Sequence, residues 1–226
     1  MGRGRGKLHP VERDRMNEEE HKAATEQVEA IERLVTPARA SKIEQSVGRR
    51  QPTLAVIIEN IHDPHNFNAI LRSCDAVGTS RVFLVYTIER PPKLAPTSSS
   101  GAYKWMDVVT MPTIATCYAK LREENFRILA TKLEPKARQL YENDLTQPTA
   151  FVIGNEHRGV SAEASEMADD LLYIPMMGMS ESLNVSVASA VCLFEAMRQR
   201  QERGMYESPQ LSPEALRSMK ADWLLR

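Results

Sequence analysis

Asn66 and Arg72 are the first residues along the chain whose types and spacing could do chemistry. They lie in ENIHDPHNFNAILRS, residues 59–73, directly after an apolar run. The Asp-Pro pair before Asn66 is typical of a turn, so Asn66 is expected at the mouth of a helix, with Arg72 about a turn and a half further along. A helix start and a planar guanidinium together suit a phosphate. A capping Asn and a surface Arg would give the same spacing, so both interpretations stay open.

The segment GNEHRGVS, residues 154–161, follows the apolar run FVI and carries Glu156 almost directly after it. Its two glycines would let the backbone approach a ligand closely. The segment lacks the GK[ST] ending of a nucleotide phosphate loop and the GxGxxG pattern of a dinucleotide-binding turn. It therefore indicates either a ligand loop of another kind or a turn that carries a solvated Glu.

The segment PMMGMSESLNVSVASA, residues 175–190, is the most unusual part of the chain. Three methionines around Gly178 give a soft and adaptable apolar surface. Ser182 and Asn184 bring polar groups to the start of a helix that opens with small side chains. The pattern fits a methionine-lined core turn with a capped helix, or a pocket for an adenine and a thioether-bearing cofactor.

The histidines and cysteines indicate less. His62 and His65 are three residues apart, but no third metal ligand is evident in the sequence. No Ser-His-Asp order or GxSxG turn is present to mark a hydrolase nucleophile. The three cysteines form no CxxC pair, so neither a zinc site nor a disulfide framework is expected. Cys74 and Cys192 fall within predicted helices and are expected to pack in the core.

An α/β fold with a largely parallel sheet is predicted, because short apolar runs alternate with helical patterns. Ligands bind beyond the carboxyl ends of strands in such sheets, so the three segments should meet at one edge. The predicted strands are 54–58, 82–86, 126–131, 150–153 and 171–174, and the predicted helices between them are 66–77, 112–124 and 184–203, with a Pro- and Ser-rich loop at 91–101.

Helical extensions are expected on both sides of this α/β region. The N-terminal one comprises a Gly- and Arg-rich start that we expect to be disordered, a helix over 12–35, and a second helix capped by Thr36 that ends near Gly48. The C-terminal one is a short helix over 209–226. The expected division is an extension over residues 1–50, a central domain over 51–206 and a tail over 207–226.

Composition places the chain among ordinary globular proteins. Of its 226 residues, 42% are hydrophobic and 26% are charged, which excludes disorder of the whole chain and a fibrous repeat. No apolar run approaches the roughly 20 residues that cross a bilayer, and no apolar segment follows the basic start as in a secretory signal. A cytoplasmic location without a membrane partner is expected. The net charge of −1 neither marks nor excludes a nucleic-acid binder.

Taken together and in order, the three segments resemble the signature motifs of the SPOUT superfamily of RNA 2′-O-ribose methyltransferases. The resemblance covers residues 51–206 and is closer to the tRNA guanosine-18 2′-O-methyltransferase branch, the TrmH/SpoU family. The flanking stretches TPARASKIEQSV and LSPEALRSMKADWLL are also similar to that branch. Asn68 stands where the pattern usually has Ser or Gly, residues 1–30 have no counterpart, and the tail is short. These departures bear on RNA choice more than on methyl transfer.

The resemblance implies a fold that patterning does not propose, because it includes a deep C-terminal trefoil knot, a rare exception to the rules of chain connection. It implies a pocket for S-adenosylmethionine (AdoMet) built from the second and third segments. It also implies a homodimer with the active site at the subunit interface, where the 184–203 helix would pack. The implied cofactor contacts are Thr131, Gly154, Ile174, Met176 and Leu183.

The implied catalytic set consists of Asn66, Arg72, Glu156, Ser182 and Asn184. Arg72 would bind a phosphate or the ribose oxygen and stabilise negative charge; proton removal by a deprotonated Arg72 is a weaker alternative, since the pKa of Arg lies above about 12. Asn66 would position Arg72 or the RNA backbone, and Glu156 would organise the site. No metal is required, since a sulfonium is already an activated methyl donor.

The partner implied by the resemblance is RNA, with tRNA favoured, and Arg49, Arg50 and the basic N-terminus are the candidate phosphate contacts. DNA is not expected. Three alternatives stay open: an rRNA 2′-O-methyltransferase of the same superfamily, a non-catalytic RNA-binding or scaffold protein with this fold, and, least favoured, a dinucleotide-dependent oxidoreductase. The intact catalytic set argues against a scaffold protein, and the absent GxGxxG loop argues against an oxidoreductase.

Overall fold

Seven parallel strands form one sheet in the computed structural model, which describes residue 32 and residues 35–92 and 101–226. The order across the sheet is β3-β2-β1-β6-β4-β7-β5, and every neighbouring pair is parallel. The predicted α/β class with a parallel sheet is confirmed. The strands are β1 Gln51–Glu59, β2 Thr79–Val85, β3 Asp107–Met111, β4 Arg127–Thr131, β5 Arg138–Gln139, β6 Thr149–Ile153 and β7 Asp170–Tyr173.

Helices cover both faces of this sheet, which is why the central strands read as unbroken apolar runs. On one face, α2 and α5 contribute Phe67, Leu71, Cys192 and Leu193 to the core. On the other face, α3 and α4 contribute Tyr118, Leu121 and Ala164. The helices are α1 Pro37–Gly48, α2 Pro64–Ala76, α3 Ile114–Glu123, α4 Ala162–Met167, α5 Val185–Glu202 and α6 Pro213–Leu225, with short 3₁₀ turns at Ala102–Trp105 and Leu140–Glu142.

Strand β1 is the centre of the architecture, since it pairs with β2 on one side and with β6 on the other. Ile58 lies beside Leu84 of β2 and beside Ile153 of β6. The carboxyl ends of all three strands therefore fall at one edge of the sheet, which we call the carboxyl edge. The opposite edge, where the same strands begin, is called the amino edge.

The described residues divide into two compact units, one comprising those of Met1–Gly48 together with Leu211–Arg226 and the other those of Arg49–Gln210. In the first unit α1 and α6 pack on each other, with Ile43 and Val47 of α1 and Trp223 of α6 buried. The Lys220 ammonium lies 2.5 Å from the Glu44 carboxylate. None of the helices in the described ranges is both long enough and apolar enough to cross a bilayer.

The structure departs from the predicted elements where the sequence signal is short or mixed. Strand β3 is absent from the predicted set, because its alternation of exposed and half-buried residues contains no apolar run. Helix α4 is a single capped turn and a half, in a stretch for which no element is predicted. Helix α6 begins at Pro213 rather than 209, because Ser212 caps it. The Gly- and Arg-rich start, nearly all of the predicted 12–35 helix and most of the 91–101 loop lie outside the described residues.

Buried charge at the amino edge corrects one prediction. Arg50, proposed as a phosphate contact, is only 2% exposed. Its guanidinium pairs with the Asp75 carboxylate at 2.5 Å and donates to the Thr79 carbonyl at 3.1 Å. A side chain held inside in this way cannot reach an RNA backbone, so Arg50 belongs to the fold. Arg49 is exposed, as an RNA contact requires.

A second arginine, Arg200 near the end of α5, is completely buried at the same edge. Its guanidinium donates to the carbonyls of Leu145, Thr53 and Gln147 at 2.9–3.0 Å. Further bonds reach the side-chain oxygens of Gln51 and Thr53. Burial lowers the pKa of Arg200 to about 10, which leaves the side chain charged at neutral pH. The cysteines predicted to pack in the core, Cys74 and Cys192, are buried.

Candidate active site

The second and third of the segments singled out in the sequence line a cavity of about 690 Å³ at the carboxyl edge. The loops after β4, β6 and β7 and the start of α5 form its walls. All five predicted cofactor contacts line this cavity, as do Glu156 and Ser182 of the predicted catalytic set. The lining residues that the prediction names are Thr131, Gly154, Glu156, Ile174, Met176, Ser182 and Leu183.

Other lining residues were missed by the sequence reasoning. Lys132 and Leu133 follow Thr131 into the wall, and Val185 and Ala188 contribute the first turn of α5. Their positions directly after a predicted strand end and at a predicted helix start were the available signal. The cavity thus combines aliphatic surface with a few polar groups, which is the usual composition of a small-molecule site.

Gly154 shapes the cavity because no side chain fits at this position. A Cβ there would stand 2.2 Å from the carbonyl carbon of Gly159 and from the amide nitrogen of Val160. The loop therefore folds back directly over residue 154, and Asn155 and Gly159 exchange two backbone hydrogen bonds at 2.8 and 3.0 Å. Gly159 closes this turn with a φ of +68°, a conformation that residues with side chains rarely adopt.

The Glu156 carboxylate connects the loop after β6 to the loop after β1. It accepts hydrogen bonds from the backbone N–H groups of His62 and Asp63, each at 3.0 Å, and from the Asn66 amide at 3.2 Å. Partial burial would raise the pKa of Glu156, but these donors outweigh burial and hold the pKa below its usual value. Glu156 is therefore an anionic anchor for the start of α2 rather than a solvated surface residue.

Asn66 and Asn184 continue this connection to α5. The Asn184 amide donates to the Asn66 side-chain oxygen at 3.0 Å. The Asn184 oxygen accepts from the N–H and hydroxyl of Ser186, which caps α5. A chain of hydrogen bonds thus runs from Glu156 through Asn66 to Asn184 and joins all three segments.

Arg72 stands apart from the residues that the prediction grouped with it. It is exposed on α2, does not line the cavity, and within the described residues makes no hydrogen bond or ion pair. Six residues along a helix amount to a turn and two thirds, so Arg72 and Asn66 point in different directions. A single chain brings together Asn66, Glu156, Ser182 and Asn184 but leaves Arg72 outside the group.

Within the described ranges, no group of three or more His, Cys, Asp and Glu residues could hold a metal ion. The cavity volume lies inside the range of about 300–1,000 Å³ that is typical of small-molecule sites. Three features shape the cavity. At Gly154 the backbone of the same loop occupies the space that a side chain would need, one wall is aliphatic, and the start of α5 is capped by Asn184. This arrangement suits a small ligand that has both apolar and polar parts.

Comparison with known proteins gives a consistent result. The model of the SpoU rRNA Methylase family matches residues 53–194. A tRNA (guanosine(18)-2′-O)-methyltransferase of Thermus thermophilus is 47% identical over 189 residues, which is 84% of this chain and 97% of the relative. The enzyme of the same description from Escherichia coli strain K12 is 44% identical over 172 residues, covering 76% of this chain and 75% of the relative.

Solved structures give the same picture. The A. aeolicus TrmH/SpoU tRNA modifying enzyme has a TM-score of 0.78 at 37% identity, with 83% of this chain and 95% of that chain covered. The SpoU methyltransferase AviRb from Streptomyces viridochromogenes, in complex with AdoMet, has a TM-score of 0.59 at 25% identity, with 68% of this chain and 59% of that chain covered.

Proposed function

The chain belongs to the SpoU rRNA methylase family, and on that premise we propose that it methylates the ribose 2′-hydroxyl of guanosine-18 in the D-loop of tRNA. The enzyme class is an AdoMet-dependent RNA 2′-O-methyltransferase. Relatives described as acting on this tRNA position match most of the chain, over 189 residues in one case and 172 in the other. The observation that carries the proposal is the cavity bounded by the second and third segments and tied to Asn66 through Glu156.

The cavity fits AdoMet in size and in chemistry. Gly154 and the backbone around it would hold the flat base, while Ile174, Met176 and Leu183 would supply apolar contact and Thr131 would lie at the wall. AdoMet supplies a methyl group on a sulfonium sulfur, which makes the methyl carbon reactive toward an oxygen nucleophile. The fit can be measured without turnover, as calorimetric binding of S-adenosylhomocysteine, which the Gly154→Ala substitution should abolish.

Arg72 is the residue to which we assign stabilisation of the ribose oxygen. Its guanidinium makes no hydrogen bond or ion pair among the described residues, and its planar cationic fork suits a phosphate or a developing alkoxide. Asn66 and Asn184 would orient the RNA and the groups around it, and Ser182 would lie beside the cofactor. Glu156 holds Asn66 in place for this task.

A homodimer with a shared active site would bring Arg72 to the cavity of a second copy. Two observations support this proposal. Arg72 lies outside the cavity of its own chain. Large apolar side chains beside the cavity and along α5 are exposed, namely Met177 at 94%, Met179 at 100%, Val187 at 46% and Phe194 at 45%. Exposed apolar patches of this kind mark interaction sites, and twofold pairing is the commonest way to cover them.

Subunit mixing tests the shared site. Arg72→Ala and Glu156→Ala should each be inactive alone. If Arg72 serves the partner's cavity, a mixed dimer has one intact site, so an equal mixture should recover about a quarter of the wild-type rate. The Phe194→Asp variant, which should not dimerise, is the control for mixing. Absence of recovery in a mixture shown to exchange subunits would contradict the shared site.

We further propose that residues 51–206 form the methyltransferase domain with a trefoil knot near its end, and that residues 1–50 and 207–226 contribute RNA contacts. The family match over residues 53–194 supports the boundaries of the central domain. Arg49 is an exposed candidate for a phosphate contact. Three buried and unpaired cysteines suit a reducing cytoplasm, which is the location we propose.

Methylation of unmodified tRNA transcripts tests the function directly. Purified protein, AdoMet and transcript should yield a nuclease fragment whose mass shows one methyl on the D-loop guanosine. A transcript with 2′-deoxyguanosine at that position is the matched control and should gain no methyl, since the acceptor oxygen is missing. Methylation of rRNA fragments but not of tRNA would favour the rRNA alternative. Cofactor binding without any RNA product would overturn the proposal.

A further inference from the structure

Asn60 lies where three loops of the carboxyl edge converge, although its residue type and spacing singled it out for no role in the sequence. It directly follows β1, is 4% exposed, and has a φ of +51°, in the left-handed region that Asn tolerates better than most residues. Its side-chain oxygen accepts three backbone hydrogen bonds, from Thr87 and Ile88 at 3.0 Å and from Glu89 at 3.2 Å. One side chain therefore holds the first part of the loop after β2, at residues 87–89.

Asn155 performs the matching task in the loop after β6. Its amide donates to the Asn60 carbonyl at 2.7 Å, in a buried position. Its side-chain oxygen accepts from the N–H groups of His157 and Arg158 at 3.0 and 3.2 Å. Asn155 thus both folds the turn that carries Glu156 and fastens that turn to Asn60.

These bonds close a ring with those of Glu156. The Asn155 amide donates to the Asn60 carbonyl. The neighbouring Glu156 carboxylate accepts from the N–H groups of His62 and Asp63, which lie two and three residues after Asn60. At the other end of the same loop, the buried Glu59 carboxylate accepts from Ser161 N–H at 3.0 Å. The loops after β1 and β6 therefore hold each other at several points. We call the pair Asn60 and Asn155 the Asn clasp.

We propose that the Asn clasp positions Glu156 and Asn66 for methyl transfer, so that Asn60 and Asn155 are positioning residues of this enzyme. The inference rests on the proposed function, because its main readout is the rate of that reaction. Glu156 can accept from His62 and Asp63 only when the turn around Asn155 is folded against the end of β1. Since a displacement of about 1 Å can cost about 100-fold in rate, a loosened clasp should be seen in turnover.

A surface ion pair joins the loop after β6 to the loop after β2. The Arg158 guanidinium lies 2.8 Å from the Glu89 carboxylate, and this pair holds the pKa of Glu89 below its usual value. Arg158 is half exposed, so this ion pair is weak in water. The buried bonds of Asn60 and Asn155, rather than this pair, should decide where the loops lie.

Two substitutions at Asn60 separate its hydrogen bonds from its backbone conformation. Asn60→Gly keeps the positive φ but removes the acceptor for three N–H groups. Asn60→Asp keeps an acceptor at the same place and tolerates the same φ. We expect kcat to fall by about 10- to 100-fold in Asn60→Gly, with KM for tRNA within about threefold. Asn60→Asp should restore most of the lost kcat.

Hydrogen exchange gives a readout that does not depend on turnover. The amides of Thr87, Ile88 and Glu89 should exchange faster in Asn60→Gly than in wild-type protein and should recover in Asn60→Asp. Asn155→Asp, which replaces the donor to the Asn60 carbonyl by a carboxylate oxygen, is an independent variant. It should lower kcat in the same way and retain the bonds to His157 and Arg158.

Asn143 supplies the matched control, because it is also 4% exposed and its amide donates to a backbone carbonyl at 2.8 Å, but at the amino edge. Asn143→Gly should lower the thermal midpoint about as much as Asn60→Gly while leaving kcat within about threefold of wild type. Faster exchange at 87–89 with unchanged kcat would overturn the positioning role. Equal loss of kcat in Asn60→Gly and Asn143→Gly would show that Asn60 affects the rate only through the stability of the fold, which would also overturn its positioning role. A wild-type protein without tRNA methylation, but with the exchange pattern as expected, would contradict the proposed function instead.

Discussion

The two edges of the sheet hold α5 by different means. At the carboxyl edge Asn184 caps the helix and passes a hydrogen bond on to Asn66, and both side chains keep part of their surface open to solvent. At the amino edge Arg200 is completely buried and its guanidinium is surrounded by carbonyl and side-chain oxygens. The polar groups at the start of α5 are partly exposed to solvent. Those around Arg200, near its end, are buried and hydrogen-bond to one another.

This difference predicts that substitutions near one end of α5 change mainly the stability of the fold, and substitutions near the other end change mainly the methylation rate. Removing a buried donor at the amino edge leaves several oxygens without a partner and without water, so the cost falls on folding. Asn66 and Asn184 at the carboxyl edge are near solvent, and water can replace part of their hydrogen bonding, so substituting them should change the geometry of the site more than the stability of the fold. Substitutions at the two edges should therefore lower different measured quantities.

Arg200→Met should have the largest effect on stability. The substitution keeps an unbranched side chain but removes every guanidinium bond, and we expect a loss on the order of 3–4 kcal/mol in the free energy of unfolding, measured in denaturant. Arg203→Met, at an exposed position directly after α5, should cost less than about 1 kcal/mol. Similar losses in the two variants would contradict the contrast between the edges.

Arg72→Lys should have the largest effect on activity with hardly any effect on stability. Lysine keeps the charge but loses the planar fork, so single-turnover methylation should slow by about 100-fold. The free energy of unfolding should stay within about 0.5 kcal/mol, because Arg72 is exposed on α2. A rate near that of the wild type would remove Arg72 from the catalytic set.

Glu156→Gln should lower both the free energy of unfolding and the methylation rate moderately. The amide keeps one acceptor oxygen but loses the charge, so we expect a loss of about 1–2 kcal/mol at neutral pH. Because the folded pKa of Glu156 lies below its ordinary value, its contribution is present above the unfolded pKa of about 4.3 and is lost as the pH falls through the folded pKa. Thermal midpoints of wild type and variant should therefore converge in acid. A constant difference at every pH would contradict this linkage.

Tyr206→Phe should have the smallest effect. The Tyr206 hydroxyl donates to the Val77 carbonyl at 2.7 Å at the amino edge, and its loss should cost about 1 kcal/mol in unfolding free energy. The methylation rate should not change. Tyr141→Phe is a control at an exposed tyrosine and should be neutral in both measurements. A slower methylation rate in Tyr206→Phe would show that the amino edge also affects the site.

Much of the fold was predictable because the apolar runs of β1, β2 and β6 are long enough to indicate strands buried on both faces. Their parallel arrangement followed from the alternating helices. The order of the strands was not predictable, since a sequence does not state which runs become neighbours. Strand β3 was not predicted, because a half-exposed edge strand has no continuous run of apolar residues.

The candidate site was predictable as three segments but not as a network. Asn66, Glu156 and Asn184 could be identified because each follows a strand or opens a helix. Their mutual hydrogen bonds join residues about a hundred positions apart and leave no local trace. Arg50 illustrates the converse error, since a charged residue read from sequence is assumed to be at the surface, whereas this one is buried.

The Asn clasp has a consequence for the folding of the chain during its synthesis on the ribosome. These two residues are 95 positions apart, and β1 meets its neighbour β6 over a similar separation. A nascent chain therefore presents an apolar central strand long before the ribosome has produced its partner. The cavity needs the start of α5 as well, so it forms only when most of the chain has emerged. Synthesis interrupted before residue 149 would leave β1 unpaired along one side, and such fragments should aggregate rather than bind cofactor.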